Sequence, residues 1–347
     1  MSRYGLHLVG SIPLRDSAEV FSTVGRLLGP KLARIPDGET GPRLRWLGWL
    51  EPVFANNPAF ESMNKKGQMS AQSGAYTKYR IRQSVSRSDI QLSGLPVADE
   101  ALKSFASFRK AKEVGDIPRS TRFQVSIASP ISVARVYFED ADVLAVEAAY
   151  ERALLLEVSR IAREIPNEEL AIQWDIASPI FLSLEIGKPT IYGETKPAMF
   201  DCFAEKISRL GNHVPSGVEL LLHFCYGDAN HRHAVEPTDM GDMVELANRV
   251  ARRTKRPIQL IHMPVPRDRD DDAYFAPLRN LATPESTTIC LGLIHFTDGI
   301  EGTRRRLATA EKYLKHFVIA TECGFGRRPP ETTRALLDMH AELAGPR

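Results

Sequence analysis

The sequence predicts a (β/α)8 TIM barrel over residues 1–347, a single domain with a long insertion between its second and third strands. Three observations carry that expectation. Eight short β-rich runs recur along the chain, with longer segments of helical period between most of them. Several of the runs are nearly continuously apolar (LHLV, VELLLHF, IQLIH, FVIA), as expected of strands buried on both faces. The turn after the first run, Gly10-Ser11-Ile12-Pro13, lacks the GxGxxG that a doubly wound open sheet usually places there.

Taken in order, the first strand is expected over 6–10 and the second over 32–35. The third (123–127) and fourth (170–174) flank an amphipathic helix over 143–164. Its Val146, Tyr150, Leu154, Leu155, Val158 and Ile161 recur at helical spacing. Helix 196–210 leads to the fifth strand, 219–223, and helix 240–253 to the sixth, 258–262. The seventh strand (288–293) precedes helix 301–314, the eighth (317–320) follows it, and helix 331–344 closes the chain. One interval breaks the rhythm: Asp37 to Arg122 spans about 85 residues where a barrel unit needs roughly 30. Residues 56–120 are therefore read as an insertion over the barrel mouth. Its polar part, 56–89, is either a lid or partner-contact element or an ordinary mobile loop.

Composition narrows the function classes. The 45 Lys and Arg against 43 Asp and Glu leave a net charge of +2, too even to argue for nucleic acid or an anionic membrane. At 43% hydrophobic residues there is ample material for a core, which excludes global disorder. No stretch approaches the roughly 18 apolar residues of a membrane helix, and MSRYGLHLVGSIPLRD is not expected to be a signal peptide. Four cysteines are too sparse for a disulfide scaffold, so a cytoplasmic protein with reduced thiols is expected.

In a barrel the chemistry sits where strands finish. The fifth strand delivers His223-Phe224-Cys225, the sixth His262, the seventh His295 and the eighth Glu322-Cys323-Gly324. His223 and Cys225, two apart on an extended strand end, point the same way and can chelate one ion. Cys323 can reach the same point if the barrel closes. One imidazole and two thiolates with an open fourth position describe a catalytic zinc site. The alternative is a buried cysteine beside a satisfied core histidine. Cys202 and Cys290 read as small core residues.

Other polar rim residues have double readings. Asp175 either serves substrate or caps the turn before Pro179. Arg34, Asp37, Glu39 and Arg43 either hold a zwitterionic substrate or form a structural ion-pair network. The run 268–272 reads as a solvated loop opening a helix, and the HRH at 231–233 as an exposed loop that could supply a further ligand. Trp46 and Trp49, three apart, read as core.

The order GSIP, QWDIASP, HFCYGD and ECGFGRR resembles the catalytic barrel of cobalamin-independent methionine synthase. It also resembles the wider zinc-dependent thiol alkyltransferases, which include epoxyalkane:coenzyme M transferase; uroporphyrinogen decarboxylase shares that barrel without the zinc. The resemblance covers roughly one barrel's worth of chain. It implies that His223, Cys225 and Cys323 bind Zn2+, that Ser11 holds the carboxylate of an amino-acid thiol, and that Asp175 takes its ammonium group. The family's glutamate ligand falls, by spacing, at His262, which either replaces it or leaves three protein ligands. In the 292–298 segment His295 is the candidate acid, with Asp298 behind it. Where the folate-dependent enzymes carry a Trp, the segment from Ser129 to Tyr137 has none, which leaves the donor open.

The implied activity is transfer of a methyl or other alkyl group to a thiol, the zinc thiolate being the nucleophile and His295 the proton donor to the leaving group. Asp37, Glu39 and Arg43 would join Ser11 and Asp175 in holding substrate. The partners are then a small-molecule thiol and an alkyl donor, with no nucleic acid, no membrane and a homodimer left open. A zinc-dependent or metal-free lyase, hydrolase or decarboxylase on the same barrel is the alternative, followed by a non-catalytic ligand-binding barrel.

Overall fold

The structure is a computed structural model that describes residues 4–70, 74–227 and 232–344. Ten strands are found among them: β1 (Gly5–Leu6), β2 (Arg34–Pro36), β3 (Phe60–Ser70), β4 (Gly74–Ile81), β5 (Arg122–Ala128), β6 (Leu170–Ile176), β7 (Glu219–Phe224), β8 (Leu260–Pro264), β9 (Thr288–Ile294) and β10 (Val318–Thr321). Eight of them form one parallel sheet in the order β1-β10-β9-β8-β7-β6-β5-β2, each at a place the apolar runs indicate. The sheet curls, and its two edges meet through isolated parallel bridges, Leu6 to Leu32 and Ser11 to Gly38, not through a continuous ladder.

β1 is short because its later carbonyls are claimed by side chains. Gln124 Nε2 donates to Leu8 O (3.1 Å) and Val9 O (3.0 Å), and Gln173 Nε2 donates to Val9 O (2.6 Å). Two amides buried inside the curl thus do for β1 what a ladder would otherwise do. A small apolar layer (Val9, Ala171, Leu221, Leu260, Cys290, Ala320) fills the inside of the curl, with Cys290 the small core residue it was expected to be. The main core lies between the sheet and the surrounding helices.

Eleven α-helices are described: α1 (Ser17–Leu28), α2 (Glu51–Ala55), α3 (Val97–Glu113), α4 (Pro130–Tyr137), α5 (Asp140–Glu164), α6 (Ser178–Ile186), α7 (Lys196–His213), α8 (Gly241–Arg253), α9 (Asp272–Phe275), α10 (Gly299–Ala310) and α11 (Thr333–Leu343). Asp16 caps α1 by accepting from Glu19 N–H at 2.9 Å. Asp271 caps α9 in the same way, so the acidic run does open a helix. None of the helices is long and apolar enough to cross a membrane.

The long interval after β2 contains two structures. Residues 97–113 form α3, whose Phe108 packs on Phe21 of α1 at 5.3 Å between ring centroids, inside the helical layer. Ahead of it β3 and β4 form an antiparallel hairpin, its base pinned by Phe54 on Tyr137 (4.6 Å) and Phe60 on Phe138 (4.9 Å). In the hairpin register Gly67 faces Tyr76, and the Tyr76 ring lies directly over Gly67, where any Cβ would collide with it.

Arg34 does not join the mouth. It starts β2, so it lies at the opposite end of the sheet, paired with Glu219 at the start of β7, which Arg122 also contacts at 3.2 Å. A strand rises about 3.3 Å per residue, enough to separate Arg34 from the residues past Pro36.

Candidate metal centre

His223 is the last residue but one of β7, which runs on into Cys225, while β10 leads through Glu322 into Cys323. The structure brings the three together. Cys225 Sγ lies 3.8 Å from Cys323 Sγ, and Cys323 Sγ lies 3.9 Å from His223 Nε2. All three ligand atoms fall within 4.8 Å of one another, the group of this kind found among the described residues. Two Zn–S bonds of about 2.3 Å at a tetrahedral angle set their sulfurs about 3.8 Å apart, so the donors present fit zinc in both chemistry and spacing.

His262 stands behind this group, not in it. Its Nε2 lies 3.0 Å from Thr321 O and its Nδ1 lies 2.8 Å from His223 Nδ1. A carbonyl only accepts, so His262 carries its proton on Nε2 and its Nδ1 must accept from His223 Nδ1–H. That leaves the lone pair of His223 on Nε2, turned toward the two sulfurs, which is the tautomer a metal needs. Burial keeps both rings neutral: it drives His223 far below the ordinary imidazole range and His262 down to about 4.

Backbone geometry holds the sulfurs. Gly227, at φ +95°, donates its N–H to Cys225 Sγ at 3.3 Å. The segment after Cys323 is clamped to the loop that follows β1: Phe325 N–H donates to Ser11 O (2.7 Å) and Gly326 N–H to Ser11 Oγ (3.1 Å). Gly324 lies so close to Ser11 that a Cβ there would stand 2.9 Å from Ser11 N and closer still to Ser11 Oγ.

The three ligands line a cavity of about 430 Å³, together with Ser11, Glu39 and Asp175. Glu39 is held at φ +46°, a conformation that costs a non-glycine residue energy, and its Oε1 sits where a Cβ on Gly10 would come within 2.6 Å. Asp175 Oδ1 accepts from Gln173 Nε2 at 2.9 Å. Burial, and then Asp175 beside it, pushes Glu39 up to about 8, and burial pushes Asp175 up to about 7. Two half-buried carboxylates in one cavity are poised to receive a cation.

Asp37 and Arg43 are placed differently. Asp37 Oδ2 takes Arg43 at 2.7 Å and its Oδ1 takes Glu39 N–H at 2.9 Å, so these two build the turn that presents Glu39. His295 and Asp298 also lie away from the three ligands. His295 Nε2 donates to Val265 O at 2.8 Å, and its Nδ1 faces Glu322 at 3.7 Å, in a small polar pocket with His233 and Arg267. Asp298 is held by the fully buried Arg306 at 2.7 and 3.0 Å. Of the HRH segment, His231 lies outside the described residues. Burial alone would lower His233, but its bonds to Glu322 (2.5 Å) and Glu236 (2.8 Å) push it up to about 10.

Two cavity residues escaped the sequence reading. Trp46 is half-buried in the cavity wall, not in the core, because it breaks the 3-10 segment Gly41–Leu50 with φ +53° and ψ −107°. No helical spacing survives such a residue. Tyr76 reaches the same cavity from the hairpin. The glycine opposite it was the available signal, since a strand glycine often marks a close approach.

No protein-family model and no curated protein matches the chain. Among solved structures it is similar to a chain from Listeria monocytogenes described provisionally as a vitamin-B12 independent methionine synthase. The two are 14% identical, with 99% of this chain and 100% of that one covered and a TM-score of 0.57. At that identity the likeness is one of fold.

Proposed function

We propose that the protein transfers a methyl or other alkyl group from a small-molecule donor to a thiol at a zinc centre, on a (β/α)8 barrel with the hairpin over its mouth. The carrying observation is the convergence of His223, Cys225 and Cys323 at tetrahedral spacing on the floor of a cavity that Ser11, Glu39 and Asp175 also line. The fold likeness to a chain described provisionally as a vitamin-B12 independent methionine synthase supports the same reading. Zinc held by these three would bind a substrate thiol as thiolate, the form that attacks carbon.

The chain's own residues do the rest. His262 fixes the His223 ring and its tautomer. Glu39 and Asp175 receive the ammonium of an amino-acid thiol, and Ser11, which lines the same cavity, would hold its carboxylate. Gln173 holds Asp175 in place. Tyr76 and Trp46 cover the cavity and keep water from the nucleophile.

The test is elemental analysis of wild type, Cys225→Ser and Cys323→Ser. About one zinc per wild-type chain is expected, lost in both variants while circular dichroism stays unchanged. With zinc bound, addition of a thiol should add a sulfur neighbour in the metal's X-ray absorption spectrum. Folded wild type that takes up no zinc when zinc is offered would overturn the reading.

A further inference from the structure

The cavity above the three ligands has an uneven character. Its upper wall is apolar and aromatic: Trp46 from the 3-10 segment, Tyr76 from the hairpin, Val136 from α4 and Leu182 from α6. The charged side chains among its described lining residues are two carboxylates, Glu39 and Asp175, and one cation, Arg327. An aromatic face attracts positive charge through its quadrupole. Both rings already do so here: the Arg327 guanidinium rests 5.9 Å from the Trp46 ring, and Lys78 Nζ rests 5.8 Å from the Tyr76 ring. Among the described residues lining the cavity, a polyanionic donor would find one cation, Arg327, against two carboxylates.

A second observation concerns protons. His295 is in the separate polar pocket, its Nε2–H spent on Val265 O. Among the described residues, the only imidazole lining the mouth cavity is that of His223, and its Nε2 is turned to the sulfurs. A donor whose leaving group departs as an anion, such as an epoxide oxygen, needs an acid at that moment, and here it would have to draw that proton from Glu39 or Asp175, the carboxyls that face the substrate ammonium. A donor that carries a positive charge needs none.

Resting on the thiol-alkylation reading above, we infer that the alkyl donor is a methylonium compound, a sulfonium or quaternary ammonium ion, seated against Trp46 and Tyr76 with Glu39 and Asp175 facing its charge. The reaction balances without an acid. The thiol gives up its proton to solvent, its sulfur lone pair forms the new S–CH3 bond, and the C–X electron pair returns to X, which leaves neutral. Net, a thiol and a methylonium ion give a thioether, neutral X and one proton. Two cations, the ammonium of the thiol substrate and the onium of the donor, then match the two carboxylates. The cost of holding Glu39 and Trp46 at positive φ also falls on two of the four residues this assignment uses.

The test reads binding before turnover, with choline and trimethylsulfonium as probes and 3,3-dimethylbutan-1-ol as the neutral isostere of choline. Calorimetry on the protein, with and without zinc, is expected to show each onium bound at least tenfold more tightly than the alcohol. Two buffers of different ionisation enthalpy should reveal protons released from the carboxylates on binding. Tyr76→Leu and Trp46→Leu should each weaken onium binding about tenfold, whereas Tyr76→Phe retains it. Melting curves of the variants separate lost binding from lost fold. Equal affinity for the alcohol, or ring variants that bind onium like wild type, overturns the inference. Turnover distinguishes the two onium classes: at pH 7.5 in weak buffer a sulfonium donor acidifies the solution by one proton per thioether formed, while the amine left by a quaternary ammonium takes that proton back. Zinc uptake without onium binding removes this inference alone. Onium binding without zinc uptake removes the alkyl-transfer reading and leaves an onium-binding cavity.

Discussion

Replacing Gly324 by alanine isolates what the loop after Cys323 contributes to the metal centre. The new Cβ would stand 2.9 Å from Ser11 N, nearer to Ser11 Oγ and 3.4 Å from Ser11 Cβ. Ser11 cannot retreat, because Phe325 N–H and Gly326 N–H both hold it and its backbone bridges to Gly38. The Cys323 side must therefore move by roughly half an ångström to clear Ser11 N and about 1 Å to clear Ser11 Oγ, at a cost of about 1–3 kcal/mol for overpacking. A supporting contact of this kind is worth roughly 10–100-fold in metal affinity, so zinc affinity should fall by that amount in Gly324→Ala. Competition against a chromophoric chelator measures the affinity, and a melting curve of the metal-free protein measures the strain. Gly299→Ala is the control: that glycine also has positive φ, +61°, but nothing lies within 4 Å of its would-be Cβ. It should cost about 1 kcal/mol of backbone strain and leave zinc untouched. Wild-type zinc affinity in Gly324→Ala would refute the claim that the Ser11 clamp sets the position of Cys323.

Three further outcomes are expected. His262→Gln should weaken zinc about 10–100-fold by releasing the His223 tautomer, a smaller loss than in Cys323→Ser, as read by the same chelator competition. In the metal-free, ligand-free protein Glu39 and Asp175 are raised, so the fold holds more protons than the unfolded chain from the ordinary carboxylate range up to about pH 8. Stability should then fall as pH rises through that window, and Glu39→Gln should flatten the melting temperature against pH between 5 and 9; a slope identical to wild type contradicts it. Asp298→Asn strips the fully buried Arg306 of its carboxylate, with an expected loss of about 3–5 kcal/mol in urea unfolding and unchanged zinc content.

What could be read in advance followed from burial. The strands β7, β8 and β9 are apolar on both faces, and Asp140–Glu164 keeps its apolar stripe for six turns, so periodicity alone located them. The convergence of His223, Cys225 and Cys323 was legible because strand ends of one parallel sheet share a rim. The hairpin was not, since FESMNKKGQMS alternates weakly and much of its exposed face is charged. Nor was the place of His262 behind His223: a strand-end imidazole looks the same in sequence whether it meets a metal or a neighbouring ring, and only the carbonyl of Thr321 decides it. His295 was misdirected for a similar reason, its outward nitrogen being claimed by Val265. Trp46 was lost to a single left-handed residue.

The ligands and the aromatic wall come from different stretches of chain. His223 lies in β7, and Cys225 and Cys323 just past the ends of β7 and β10, in the second half of the sequence, whereas Trp46 and Tyr76 come from the excursion between β2 and β5. The hairpin is anchored from its base, by the Phe54–Tyr137 and Phe60–Phe138 pairs, up to Thr77 and Lys78, which bond to Glu51 (2.6 Å) and to the carbonyls of Arg135 (3.0 Å) and Phe138 (3.1 Å). Its length and tip can therefore drift while the sheet beneath keeps its register. Such an arrangement lets one centre acquire new donors by exchanging a cassette, with no ligand disturbed. Grafting a foreign hairpin onto the same aromatic base is then a route to altered selectivity in which nucleophile chemistry and donor choice are tuned on separate dials.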